Sequence, residues 1–74
     1  MAEPLKYVVI IERYQDGYGA YAPDLPRCGA TGHTEEEVRQ RIRAAIEVHL
    51  RSMREDGDPI PRPTSVAETV VVAA

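Results

Sequence analysis

The chain has 74 residues, of which 12 are acidic and 9 are lysine or arginine, so its formal net charge is −3. Nucleic-acid binding depends mainly on neutralising phosphates with lysine and arginine, so this balance argues against a chain that coats DNA or RNA as a whole. No basic leader precedes an apolar stretch, and the apolar runs are far shorter than the roughly 20 residues that cross a bilayer. We expect a cytoplasmic protein that does not contact the membrane.

A single domain over residues 1–74 is the simplest organisation, because no repeat, low-complexity tract or second composition regime is visible. A domain of this size buries only about 60% of the surface that its unfolded chain exposes. Cys28 is the one cysteine, so no intramolecular disulfide can form, and no zinc-ligand spacing is present. We therefore expect the protein to gain stability by association, as a homo-oligomer such as a dimer or tetramer.

The first predicted element is a strand over residues 6–13, which are mainly β-branched and aromatic. Alternation places the odd-numbered residues from Tyr7 to Ile11 on one face, and Val8 and Ile10 on the other. Because both faces are apolar, the pattern is typical of a central strand.

A hairpin follows, since Asp16-Gly17 suits the positive φ angles of a tight turn and residues 18–22 return as a second strand. Pro23 and Pro26 disfavour helical geometry at the residue before each of them, so the second strand is predicted to stop near Ala22. Residues 27–32 then predict a short third strand, although their glycines and small side chains have weak β propensity.

Thr34 and Glu37 have the spacing of a capping box, which predicts a helix that begins at Glu35 and runs to about Arg54. Gly57 suits the end of that helix. Apolar side chains recur at spacings of three and four on one stripe, which we expect to cover one face of the sheet. These positions are Val38, Ile42, Ala45, Ile46, Leu50 and Met53.

Residues 58–63 read Asp-Pro-Ile-Pro-Arg-Pro and predict a stiff connector that crosses the domain, because they suit neither a helix nor a central strand. Residues 68–72 are short and β-branched, which predicts a final strand. Val70, Val71 and Val72 make that strand apolar on both faces. Such a strand promotes aggregation unless it is covered, so we expect these three valines to lie at an oligomer interface.

Along these elements the chain presents an ordered set of residues: Tyr18, Tyr21, Pro23, Asp24, Leu25, Pro26, Cys28, Gly32, Thr34, Glu36, Glu37, Ile60, Pro61 and Pro63. With the order of the elements, this set resembles the HicB-like antitoxin family over nearly the whole chain. The resemblance implies an α+β fold with the order β-β-β-α-β, described as a partial ribonuclease H-like fold. It also implies a domain that binds and neutralises a small HicA-type toxin that cleaves mRNA.

The chain departs from the family pattern at three points. Family members usually have glycine where this chain has Arg27, and often an acidic residue where it has His33. The turn at Arg27 is therefore either compatible with negative φ or strained. Members also commonly continue into a helix-turn-helix or ribbon-helix-helix module, whereas this chain ends at Ala74, so we expect no direct DNA binding.

Catalytic interpretations are weaker than structural ones. Two-metal hydrolysis needs several gathered carboxylates, but the first strand has no acid at its centre: Glu12 lies at its end, Asp24 lies on the loop, and the other acids are spread along the chain. Cys28 with His33 as its base lacks an orienting third group and an oxyanion hole, and a zinc site from Cys28, His33 and His49 lacks a fourth ligand. We predict no catalytic residue, no metal site and no cofactor, and hence no enzyme.

The arginines of the helix suggest a phosphate-binding face, but they also form Glu-first pairs four residues apart, which favours a solvated helix surface. The predicted pairs are Glu35 with Arg39, Glu37 with Arg41, and Glu47 with Arg51. Asp24 has two interpretations: it caps the turn by bonding to nearby backbone amides, or it presents a carboxylate to a basic partner. The second interpretation, extended to Leu25 and Arg27, makes this turn the predicted partner-binding site.

Two functions remain open. The first is a non-enzymatic binding module that occludes a HicA-type toxin. The alternative is a solitary, self-associating structural or regulatory protein of the same fold that has no toxin partner.

Overall fold

The computed structural model describes residues 4–74. Three strands, β1 (Ile10–Tyr14), β2 (Gly17–Tyr21) and β3 (Gly29–Gly32), precede one helix, α1 (Glu35–Glu55). The strands form an antiparallel sheet in the order β1-β2-β3, so β2 is central and β1 and β3 are its edges. The predicted α+β class and the order β-β-β-α are confirmed. The relationship to ribonuclease H stays a prediction.

The predicted hairpin forms, but its two-residue turn is Gln15-Asp16 rather than Asp16-Gly17, and Gly17, at φ 152°, is the first residue of β2. The first strand is shorter at its start than predicted, because β1 begins to pair at Ile10, opposite Tyr21. Beyond Tyr21 the chain turns into the proline-containing loop, so β2 offers residues 6–9 no backbone to pair with. The β1 side of the sheet therefore continues as an extended segment without a neighbouring strand.

The predicted third strand is confirmed as β3, although it begins at Gly29 rather than at residue 27. A Cβ on Gly32 would lie 3.0 Å from the backbone nitrogen of Val38 and 3.2 Å from its Cα. Glycine at this position therefore allows the first turn of α1 to approach β3 closely. Weak β propensity is overcome here because the helix packs directly on the strand.

Helix α1 begins at Glu35, as the capping box predicts. The Oγ1 of Thr34 accepts a hydrogen bond from the backbone nitrogen of Glu37 at 3.0 Å. The Glu37 carboxylate accepts in return from the backbone nitrogen of His33 at 3.2 Å, one residue before the cap. Thr34 thus satisfies an amide group of the first helical turn, and Glu37 satisfies the amide group just before the cap.

The helix ends with Asp56 as its C-cap and Gly57 at φ 74°. The backbone nitrogen of Asp58 donates to the carbonyl of Met53 at 2.8 Å, and that of Gly57 donates to the carbonyl of Arg54 at 3.2 Å. This pair of bonds is a Schellman motif, which needs a left-handed residue and so explains the glycine. Within the described residues no helix is both long enough and apolar enough to cross a membrane.

The core lies between α1 and the inner face of β2 and β3. Its buried members are small or aliphatic, namely Ala20, Ala22, Leu25, Cys28, Val38, Ile42 and Leu50. Tyr7, Val9 and Ile11 pack against this cluster from the β1 side but stay partly exposed. The helix thus covers one half of the sheet well and the other half poorly.

The connector leaves α1 and packs back on the domain through Ile60, which contacts the core cluster. The hydroxyl of Tyr7 donates to the carbonyl of Pro61 at 2.5 Å. The predicted final strand does not form, because a strand requires a paired neighbour and none of the described residues pairs with residues 68–72. The tail therefore extends from the domain, and the radius of gyration is 14.1 Å against about 11 Å for a compact chain of this length.

Candidate functional site

The loop from Ala22 to Cys28 is held in one shape by three backbone hydrogen bonds. The nitrogen of Leu25 donates to the carbonyl of Ala22 at 3.0 Å, and that of Cys28 donates to the carbonyl of Leu25 at 3.2 Å. The nitrogen of Ala22 donates to the carbonyl of Cys28 at 3.3 Å and closes the loop. With Pro23 and Pro26 inside it, the loop has little conformational freedom to lose when it meets a partner.

Leu25 anchors this loop rather than exposing a contact surface. Its side chain is 1% exposed and belongs to the core. A buried leucine has no surface to offer a partner, so its burial opposes the predicted direct role in partner binding. Pro23, Pro26 and Arg27 are the exposed residues of the turn.

Arg27 has φ 65°, the left-handed conformation that glycine adopts without penalty. Of the two possibilities left open by the sequence, the structure thus shows the strained one. A left-handed non-glycine residue costs about 1–2 kcal/mol. Because Arg27 is exposed, the strained turn projects a guanidinium group into solvent beside the two prolines.

The carboxylate of Asp24 is hydrogen-bonded to other residues of the same chain. Its carboxylate accepts hydrogen bonds from the backbone nitrogens of Thr64 and Ser65, both at 3.0 Å, and from their hydroxyls at 3.1 and 2.8 Å. The bonds from Ser65, with further help from those of Thr64, outweigh the opposing effect of burial and hold the pKa of Asp24 below its ordinary value. We call this contact the Asp24 clasp.

The Asp24 carboxylate binds backbone amides, as the capping interpretation supposes, but these belong to residues forty or more positions away and not to its own turn. Sequence reasoning missed Thr64 and Ser65 because nothing in their local pattern shows which acid they meet. The sequence feature that comes nearest to indicating this contact is the proline-rich connector followed by two residues with hydroxyl groups.

Cys28 and His33 occupy different environments. Cys28 is buried in the core, and that burial raises the pKa of its thiol, which lowers its thiolate fraction. His33 is exposed and its backbone nitrogen donates to Glu37 as part of the helix cap. The structural interpretation of Cys28 as a small buried side chain is confirmed.

The acidic residues are dispersed. Glu12 accepts a hydrogen bond from the hydroxyl of Tyr14 at 3.1 Å, and this bond raises the pKa of the tyrosine. Asp24 belongs to the clasp. Within residues 4–74, no group of three or more histidine, cysteine or acidic side chains is placed to hold a metal ion.

The helix surface carries three ion pairs four residues apart. Glu35 pairs with Arg39, and Glu37 pairs with Arg41 at 3.0 Å, as predicted. The predicted pair of Glu47 with Arg51 is wrong, since Glu47 pairs with Arg43 at 3.3 Å instead. Glu47 has a basic residue four positions away on either side, and sequence spacing does not distinguish them.

The poorly covered half of the sheet forms an open groove between α1 and the β1 side, which we call the β1 groove. It has a volume of about 730 Å³. Its wall on the strand side is Leu5, Tyr7, Val9 and Ile11, and its wall on the helix side is Ile42, Ile46 and Leu50. Arg39, Arg43, Glu47 and Arg54 also line it.

The predicted oligomer-interface residues lie in the tail that follows the clasp. Val70, Val71 and Val72 are 69%, 94% and 73% exposed. The structure contains one chain and thus does not test their role, which stays a prediction. The exposure of three consecutive valines is nevertheless unusual, because contiguous apolar surface generally marks an interaction site.

Comparison with known proteins identifies relatives over most of the chain. Residues 7–73 match the family model of the HicB-like antitoxins of bacterial toxin–antitoxin systems. A UPF0150 protein of Thermoplasma acidophilum is 36% identical over 67 residues, covering 89% of this chain and 97% of the relative. A UPF0150 protein of Synechocystis is 39% identical over 57 residues, covering 76% of this chain and 72% of the relative.

A further relative is an uncharacterised 14.9 kDa protein from the rep-hol intergenic region of Haemophilus phage HP1, 31% identical over 64 residues. The alignment covers 86% of this chain but 48% of the phage protein, so the chain spans about half of that relative. The family match extends from the segment before β1 through the loop, the clasp and the tail. The chain therefore belongs to the HicB-like antitoxins of bacterial toxin–antitoxin systems.

Proposed function

We propose that this chain is the antitoxin of a cytoplasmic toxin–antitoxin pair and that it neutralises a small HicA-type, mRNA-cleaving toxin by protein–protein binding. The observation that carries the proposal is the family match over residues 7–73. The role is non-enzymatic: the antitoxin covers the toxin's active surface and performs no chemistry itself. No DNA contact by this domain is part of the proposal.

The contact surface that we assign to the toxin is the turn from Pro23 to Arg27. Its backbone is fixed by the three hydrogen bonds of the loop and anchored by the buried Leu25. Rigid, pre-organised turns lose little entropy on binding. Asp24 supports the turn through the clasp, so its contribution is to hold the loop and connector together.

Among the residues of this turn, Arg27 has the strongest structural support for a role in binding. It keeps a left-handed conformation that glycine would adopt freely, and its side chain is exposed. Backbone strain is retained where it serves a function. Arginine is also one of the side chains that contribute most to protein interfaces.

The test uses a purified HicA-type, mRNA-cleaving toxin. Purified toxin cleaves an RNA substrate, and an equimolar amount of this protein is expected to stop the cleavage and to co-elute with the toxin. Arg27→Glu is expected to weaken the complex about tenfold or more, measured by calorimetry. Arg13→Glu, which reverses an exposed arginine near the hairpin end of the sheet, is the matched control and is expected to bind as the wild type.

Failure of the wild type to bind or inhibit any such toxin would contradict the proposal. Inhibition that survives Arg27→Glu unchanged would keep the antitoxin role and move the contact surface away from the turn.

The alternative function, a solitary self-associating protein, is favoured by a different observation. The β1 groove has apolar walls on its strand and helix sides, the valines of the tail are exposed, and neither surface is covered within the described chain. Self-association without toxin binding is the result that would select this alternative.

A further inference from the structure

The segment before β1 has the form of a strand without a neighbour. Residues 6–9 continue β1 in sequence, but the pairing with β2 begins only at Ile10. Tyr7 and Val9 pack toward the core, so the segment is held against the domain by its side chains. Because β1 is an edge strand, the side of this segment and of β1 that faces away from β2 has no described strand beside it, and another strand can add there.

A strand added to this edge would also fill the β1 groove. Neighbouring strands lie about 4.8 Å apart, and alternate side chains point to opposite faces of the sheet. One set of side chains would thus enter the space between β1 and α1, against Ile42 and Ile46. The other set would lie on the outer face, beside Val8 and Ile10.

The tail supplies a strand with the matching pattern. Val70 and Val72 point to one side of an extended chain and Val71 to the other, so both of its faces are apolar. The β1 segment is apolar on both faces too, through Tyr7 and Val9 on one and Val8 on the other. Few segments match an edge that is apolar on both faces, because most surface strands carry a polar face.

From this match we infer that residues 68–72 of one copy of the chain add as a strand to the β1 edge of a second copy and fill its β1 groove. The reciprocal exchange, in which each copy gives a tail and accepts one, uses every exposed valine of the segment and both grooves. It closes a two-fold symmetric dimer, the commonest symmetric assembly of proteins. This inference concerns self-assembly and stands apart from the toxin contact.

The path of the connector favours a second copy over the chain's own groove. The chain passes the β1 side at Pro61, where it accepts the bond from Tyr7, and is then fixed at Asp24 in the β2–β3 loop by Thr64 and Ser65. Beyond Ser65 the tail pairs with no described residue, and Val70 and Val71 stay 69% and 94% exposed, so the chain's own tail does not fill its groove.

Charge complementarity supports the same pairing. Glu68 stands two residues before the first of the three valines. Arg54 lies at the groove beside Tyr7 and, unlike Arg39 and Arg43, forms no ion pair with a described residue. An incoming acidic residue at the end of the groove would therefore meet a free cation.

The first experiment measures mass by light scattering coupled to size-exclusion chromatography. The wild type is expected to run as a dimer, and Val71→Lys is expected to lower the mass about twofold, to that of the monomer. Val71 is 94% exposed, so this change does not disturb the fold of the single chain. Val48→Lys is the matched control: this valine is 60% exposed on α1 outside the β1 groove, and the dimer is expected to persist.

A mixing experiment tests whether tail and groove belong to different copies. Ile46→Lys blocks the groove and, like Val71→Lys, is expected to be monomeric alone. In the mixture, the intact tail of the Ile46→Lys chain meets the intact groove of the Val71→Lys chain. A heterodimer with one working contact is therefore expected.

Amide hydrogen exchange locates the contact without a groove variant, in case Ile46→Lys does not fold. The amides of Tyr7, Val8 and Val9 are expected to exchange more slowly in the wild type than in Val71→Lys. A monomeric wild type, an unchanged mass for Val71→Lys, or equal exchange at these amides would overturn the inference. A monomeric wild type with slow exchange at residues 7–9 would show instead that the chain's own tail fills the groove.

None of these results depends on a toxin. A dimer that fails to inhibit toxin would leave this inference intact and remove the proposed function, whereas a monomer that inhibits toxin would do the reverse.

Discussion

The two edges of the sheet differ in how their backbone is protected. At β3 the strand is four residues long, α1 packs against it through Gly32, and Arg41 donates to the carbonyl of Thr31 at 3.1 Å. At β1 the strand continues into residues 6–9, the helix stands away, and the space between them is the β1 groove. Short strands and a charged side chain are common ways to blunt an edge.

The domain is therefore closed on the β3 side, where the helix packs on the sheet, and open on the β1 side, where the β1 groove lies. The closed side holds the fold together through the buried residues of the loop, β2, β3 and α1. The open side carries apolar surface and unpaired backbone, the features that favour addition of another chain. Substitutions that separate the two sides test this division.

The largest effect is expected from Leu25→Ala on the closed side. Removing a leucine that is 1% exposed is expected to lower the free energy of unfolding by about 3 kcal/mol, because it leaves a cavity. Leu5→Ala makes the same chemical change on the open side, where the leucine is 42% exposed, and is expected to cost about 0.5 kcal/mol or less. Urea unfolding measures both, in the Val71→Lys background so that association does not contribute. Equal costs would contradict the division into a closed and an open side.

Arg27→Gly is expected to raise the free energy of unfolding by about 1 kcal/mol, because glycine relieves the left-handed strain at φ 65°. Glycine also gives the unfolded chain more conformational entropy, which offsets part of this stabilisation. Thermal unfolding gives the measurement. Arg62→Gly is the matched control, since Arg62 is exposed but has no positive φ, and no stabilisation is expected there. If Arg27→Gly destabilised the protein, contacts of the Arg27 side chain would outweigh its backbone strain.

A smaller loss, about 0.5 kcal/mol, is expected from Arg41→Ala, which removes an exposed ion pair and the bond to the Thr31 carbonyl. The more informative readout is self-association at high concentration, because the variant exposes the β3 edge. Arg43→Ala removes a similar exposed pair without uncovering a backbone carbonyl and serves as the control. No increase in association for Arg41→Ala over Arg43→Ala would show that the short β3 edge is protected by its length alone.

The smallest change in global stability is expected on acidification, since it acts on the Asp24 clasp. The pKa of Asp24 is lowered in the folded protein from its ordinary value of 3.8. The contribution of the clasp is therefore fully present above that value and is lost as the pH falls through the lower pKa of the folded state. Amide exchange at Thr64 and Ser65 is expected to report opening of the connector in this acidic range.

Asp24→Asn is expected to open the connector already at neutral pH, whereas Asp16→Asn, at an exposed acid of the hairpin turn, is expected to leave it closed. Slow exchange at Thr64 and Ser65 in Asp24→Asn would show that the connector is held by Ile60 and Pro61 without the clasp.

Local sequence patterns determined where the helix begins and ends and where the hairpin forms. The capping box of Thr34 and Glu37, the glycine at the helix end and the hairpin around Asp16 and Gly17 each depend on residues that are close in sequence. Their hydrogen bonds form within a few residues, so residue type and spacing were enough to predict them. Membership of the antitoxin family was likewise readable from the ordered motifs.

Only the tertiary structure decided which long-range partners meet. Asp24 binds Thr64 and Ser65, Leu25 enters the core, and the tail valines find no strand beside them within the described residues. These outcomes depend on how the connector crosses the domain and on which half of the sheet the helix covers. Spacing along the chain carries no information about such contacts, because they are set by the packing of segments that are distant in sequence.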